Sequence, residues 1–186
     1  MKRLFIAFFL VLVTITASNA TTLNGDSPRY GIDKGYRGFA YTGYTVGFGT
    51  NPYGRITLGT IHGRQFSDIF FLGGGIAFNY FPPTNVTPWL YSIPAFVAVR
   101  WDIRSSTRYK AFFQIRDGIT LELSPAAYLD LGAGLRIEVG SQTALNLSAG
   151  YEILLYTAVT NTQTEWYPFS GASLHLALEF MPRKHQ

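Results

Sequence analysis

Of the 186 residues, 14% are charged and 16% aromatic, against about 25% charged in an ordinary soluble domain, and there is no cysteine. Disulfides, thiolate metal sites and lipid attachment at an N-terminal cysteine are excluded. With no basic run or basic-aromatic stripe, the formal charge of +4 gives nucleic-acid binding no support.

The chain opens on Met1-Lys2-Arg3, continues through an uncharged apolar core from Leu4 to Ile15 and reaches small residues at Ser18-Asn19-Ala20. This is the pattern of a secretory signal peptide, residues 1–20, cut after Ala20. The apolar core is shorter than the roughly 20 residues a spanning helix needs. Loss of Lys2 and Arg3 leaves 13 basic and 11 acidic residues, a net +2. Residues 21–35 then form a periplasmic N-terminal segment, 36–180 a barrel and 181–186 a periplasmic tail.

Two strands, about Arg37 to Gly49 and Arg55 to Phe66, carry a noisy glycine-aromatic texture. From Ile69 to Val99 no residue is charged and none is histidine, but Gly73-Gly74-Gly75, Pro82-Pro83, Pro88 and Pro94 break any helix there. Phe70, Leu72, Ile76, Phe78 and Tyr80 fall on one parity and Gly73, Gly75, Ala77 and Asn79 on the other, the period of a strand. Ile93, Ala95, Val97, Val99, Trp101 and Ile103 likewise oppose Ala98, Arg100, Asp102 and Arg104. Tyr109, Ala111, Phe113 and Ile115 oppose Lys110, Phe112, Gln114 and Arg116. The clearest strand sets Leu129, Leu131, Ala133, Leu135, Ile137 and Val139 against Asp130, Gly132, Gly134, Arg136 and Glu138. Leu145 to Leu155 repeats the alternation, and Ala172, Leu174, Leu176, Leu178 and Phe180 end it against Gly171, Ser173, His175, Ala177 and Glu179.

Eight such strands predict an all-β chain, an eight-stranded antiparallel transmembrane up-and-down β-barrel in the outer membrane, in which lipid-facing and lumen-facing side chains take turns. The links agree. Ser67-Asp68, Ser105-Ser106-Thr107 and Gly140-Ser141-Gln142 are turn-length and belong on the periplasmic side. Those at Asn51-Pro52, Pro82 to Leu90, Asp117 to Ala127 and Thr157 to Pro168 belong outside, and three of them are long. Tyr80, Phe81, Trp89 and Tyr91 mark an outer aromatic rim, and Trp101, Tyr109 and Phe180 an inner one.

Gly171, Leu174, Leu176, Leu178 and Phe180 resemble the C-terminal signal read by the barrel assembly machinery, with Met181 to Gln186 following where the aromatic is often last. Gly35-Tyr36-Arg37-Gly38-Phe39, Thr60-Ile61-His62-Gly63-Arg64-Gln65-Phe66 and Phe70-Phe71-Leu72-Gly73-Gly74-Gly75 resemble a small outer-membrane β-barrel family common in gut anaerobes, with OmpX and the OmpA barrel as better-known analogues. The resemblance implies a fold and contact with outer-membrane lipid, and no chemistry.

The inward parity carries Arg100, Asp102, Lys110, Arg116, Asp130, Arg136, Glu138, Glu152, His175 and Glu179. In so narrow a barrel side chains fill the interior, so these charges are expected to pair as a lumen polar network, with Arg116 between Asp130 and Glu152. Asp130 and Glu152 as a hydrolytic carboxylate pair would lack a cleft for a sugar. Ser173, His175 and Glu179 share a face, but same-face neighbours in a strand lie about 7 Å apart, beyond direct hydrogen bonding. His62 has no neighbour at metal-ligand spacing. No phosphate loop or dinucleotide fingerprint occurs. The expectation is a monomer without enzyme activity or cofactor, of structural or surface-interaction type, its surface ligand unspecified; a lipid A modifying enzyme and a narrow transporter of a hydrophobic solute are the alternatives.

Overall fold

The computed structural model describes residues 32, 34–49, 52–83, 90–103, 108–121, 126–159 and 164–181. The expected signal peptide, the Ser105-Ser106-Thr107 turn and Trp89 lie outside them. The strands are β1 (Gly35–Phe48), β2 (Arg55–Gln65), β3 (Phe70–Phe81), β4 (Leu90–Ser92), β5 (Pro94–Asp102), β6 (Tyr109–Thr120), β7 (Ala126–Glu138), β8 (Thr143–Val159) and β9 (Thr164–Phe180). β4 and β5 are one stave, since both meet β3 in a single unshifted register, and they part at Ile93, just before a proline that has no N–H for the ladder. Each stave pairs antiparallel with the next, and β1 pairs with both β2 and β9, so eight staves close into a barrel.

Closure fixes the stagger. Following ladder partners from Gly38 through His62, Gly74, Val97, Asp117, Leu129, Ile153 and Ser170 returns to Phe48, ten residues further along β1. Eight strands so staggered tilt by roughly 40° and leave an interior that side chains can fill.

Alternation then sorts the residues, and the result is inverted relative to a soluble domain. Arg37, Arg55, Asp130, Glu152 and Glu179 are 0% exposed, whereas Val97, Phe113 and Leu174 are 54%, 56% and 56% exposed. Both termini of the barrel and the tight turns lie at one end, called here the terminal end. There Phe66 N donates to Phe70 O at 2.9 Å and Gly140 N to Thr143 O at 3.1 Å.

At the opposite, loop end two expected loops are shorter than the sequence implied. β6 runs on to Thr120 and β7 begins at Ala126, so only 121–125 connects them. The expected link from Thr157 to Pro168 is mostly ladder, paired from Thr157↔Trp166 to Val159↔Thr164. Above Tyr156 and Ser170 the neighbouring strands have ended, so β8 and β9 continue as a two-stranded ribbon. Hydrophobic alternation fades in this stretch of the sequence, while backbone pairing persists among β-favouring Thr, Val, Trp and Tyr.

Candidate functional site in the barrel lumen

The lumen holds two ion-pair networks with an aromatic layer between them. Arg37 organises the one at the terminal end. Its Nη1 lies 2.6 Å from Asp102 Oδ2 and donates to Gln65 Oε1 at 2.7 Å, and its Nη2 lies 2.9 Å from Glu179 Oε2. Arg136 Nε meets Glu179 Oε1 at 3.0 Å and its Nη1 meets Glu138 Oε1 at 2.5 Å; Lys110 Nζ reaches the same Glu138 oxygen at 3.3 Å. Arg100 bonds Asp102 Oδ1 through Nε at 2.9 Å and Asn146 Oδ1 through Nη2 at 2.8 Å, and Asn146 Nδ2 donates to Glu179 Oε2 at 3.0 Å. Charge that burial would otherwise penalise is met at nearly every oxygen.

Toward the loop end the second network centres on Glu152. Its Oε2 accepts from Arg55 Nη2 at 2.7 Å, from Arg55 Nε at 3.1 Å and from Thr45 Oγ1 at 2.5 Å, and Tyr128 OH donates to Oε1 at 3.3 Å. His175 Nε2 stands 3.5 Å from Oε1. Arg116 Nη1 lies 3.3 Å from Asp130 Oδ2, and its guanidinium sits 4.3 Å over the Tyr41 ring. Arg116 therefore answers Asp130 alone. The expected bridge from Arg116 to Glu152 is replaced by one from Arg55, which reaches across the lumen from β2 and takes Oε2 of Glu152 with two donors.

Phe39, Tyr41, Phe71, Phe96 and Phe112 lie between the networks and are buried. Arg100 stacks 3.5 Å over Phe112, and Phe39 meets Phe71 edge-on at 5.4 Å, so the layer touches the charges through ring faces. The rings need bare wall opposite them. A Cβ at Gly73 would come within 2.7 Å of Phe71 Cζ, and one at Gly43 would overlap the His175 ring.

The sequence reading missed Arg37, Arg55, Gln65, Thr45 and the aromatic layer. A signal existed in the parity shared by Arg37, Phe39, Tyr41, Gly43 and Thr45, but Tyr36, Tyr44 and Phe48 on the other face of β1 mask it. Ser173, His175 and Glu179 are all buried, yet Glu179 belongs to the terminal-end network while the carboxylate near His175 is Glu152. His62 is exposed on the outer wall, its Nδ1 2.5 Å from Tyr36 OH and its ring 6.3 Å from that of Phe180. Gly171 faces inward, whereas Leu174, Leu176, Leu178 and Phe180 share the outward parity of β9. No cluster of potential metal ligands occurs among the described residues.

By fold the chain is a closed eight-stranded antiparallel β-barrel, the architecture seen in transmembrane barrels. No family model and no curated protein matches it. Among solved structures it is similar to Neisserial surface protein A, at 12% identity and a TM-score of 0.57, covering 80% of this chain and 99% of that one. A de novo designed transmembrane β-barrel gives 13% and 0.48 over 81% and 98%, and the N-terminal β-barrel domain of Pseudomonas aeruginosa OprF gives 12% and 0.42 over 81% and 99%.

Proposed function

We propose that this chain is a monomeric outer-membrane barrel of structural or surface-interaction type, with no catalytic activity of its own. The observation that carries the reading is the inverted wall: apolar side chains outside, charges neutralised inside, and every seam closed by backbone pairing. Such a wall leaves no sheet edge inside lipid and places hydrocarbon against hydrocarbon. The turns and termini then face the periplasm and the loop end faces outward, where a surface ligand would be met. β9, whose outward leucines end on Phe180 and which pairs with β1 and β8, is the element we assign to the barrel assembly machinery.

The competing readings have less support. A lipid A modifying enzyme needs a nucleophile and base open to lipid near the loop end, but Ser173 and His175 are buried in the lumen and exposed His62 lies toward the terminal end. A lateral route for a hydrophobic solute needs an unpaired seam, and none occurs among the described strands.

Cell fractionation and gel mobility test the proposal together. The folded protein is expected in the outer-membrane fraction and is expected to migrate differently before and after boiling. Recovery as a soluble periplasmic protein without detergent would end it.

A further inference from the structure

Where the two networks come closest, the aromatic layer is imperfect. A cavity of about 20 Å³ lies there, lined by Arg100 and its ladder partner Gln114, by His175 and its ladder partner Ser148, and by Arg116 and Asn146. On the measure by which one water needs roughly 10–15 Å³, this is room for one. Its lining is polar where it matters. Gln114 Nε2, Arg116 Nε and Nη1, and His175 Nε2 are buried and have no hydrogen-bond partner among the described residues, although Arg116 and His175 stand close to carboxylates. Buried polar atoms left without a partner are costly, so the side chains converging on one small space call for a shared partner.

We propose that this cavity is a binding site for one internal water, held by Gln114, Arg116 and Ser148 in the gap between the two ion-pair networks. A water oxygen accepts from the Gln114 amide and the Arg116 guanidinium, and one of its hydrogens goes to the Ser148 hydroxyl, while His175 Nε2 is turned to Glu152 Oε1 at 3.5 Å. Water fits better than an anion because Asp130 and Glu152 stand beside the same donors, at 3.3 Å from Arg116 and 3.5 Å from His175, and a third negative charge would be repelled by both.

Synchrotron hydroxyl-radical labelling of the folded protein in detergent tests this, because a bound water generates the radical in place and marks buried rings beside it. Tyr41 lines the cavity; Tyr128 is also buried, lies nearer the loop end and does not line it. Tyr41 should label several-fold faster than Tyr128 in the wild type. Ala98→Val, which adds methyl groups to the cavity wall, should bring Tyr41 down to the rate of Tyr128. If Tyr41 labels no faster than Tyr128 in the wild type, or if Ala98→Val folds and leaves the Tyr41 rate unchanged, the water site is overturned. The wild-type comparison decides the matter should Ala98→Val not fold. An anomalous bromide peak in the cavity of crystals grown in bromide would overturn it in favour of an anion site.

Discussion

Asp130 and Glu152 are ladder partners on β7 and β8, yet each carboxylate is met by a different arginine: Arg116 at 3.3 Å for Asp130, Arg55 at 2.7 Å for Glu152. Two like charges side by side in a low-dielectric interior coexist only with their cations in place. Arg116→Leu is therefore expected to lower stability by about 3 kcal/mol, the scale for breaking a buried pair from one side. Adding Asp130→Asn should restore more of the loss than adding Glu152→Gln. Denaturant unfolding of the four proteins gives the answer, and equal rescue by the two second changes would contradict the pairing.

Arg37 serves Asp102, Gln65 and Glu179 at once, so its removal strands more buried acceptors than any other change in the terminal-end network. Arg37→Met should cost about 3–5 kcal/mol. Lys110→Met should cost less, because the carboxylate it reaches, Glu138, keeps 17% of its side chain exposed and retains Arg136. The order of the two unfolding free energies is the readout.

Asp117 is exposed on the outer wall of β6, with Val97 and Leu129 as its ladder neighbours. On the membrane-spanning wall proposed above, a carboxylate there is unfavourable in a depth-dependent way, less than the ~2–4 kcal/mol of a midplane lysine or arginine. Asp117→Leu should accordingly stabilise the barrel by about 1–2 kcal/mol in equilibrium folding into lipid bilayers. A loss of stability on this substitution would mean that the carboxylate has a partner in the membrane.

The filled lumen should block bulk ions. Planar-bilayer recordings of the wild type are expected to show little or no steady conductance, since both networks and the aromatic layer lie across the path. A large, stable channel would be incompatible with the side-chain packing described above.

The strands from β3 onward were legible because one face is nearly all Leu, Ile, Val and aromatic, as in Leu129 to Ile137 of β7. β1 was less so, since aromatic residues occupy both of its faces and only the buried set, from Arg37 to Thr45, identifies the lumen side. Asp117 was assigned to a loop because a charge on the apolar parity looks like a strand end. The partner of Glu152 was illegible for another reason. Sequence order brings Arg116 near it through neighbouring strands, whereas Arg55 approaches across the lumen from β2, a contact that depends on barrel diameter and stagger rather than on adjacency.

The two ion-pair networks also bear on how the barrel forms. Arg37 on β1 joins Asp102 on β5 and Glu179 on β9, and Arg55 on β2 joins Glu152 on β8, so each network draws on strands from both ends of the chain. An open sheet of any subset of strands would leave several of these charges without a counterion. Partly assembled states are thus electrostatically frustrated, and the relief arrives when β1 meets β9. Such long-range coupling slows folding, because chain closure must come before most of its reward. It also favours an all-or-none seam: the same charges that oppose an open sheet oppose the reopening of a closed one.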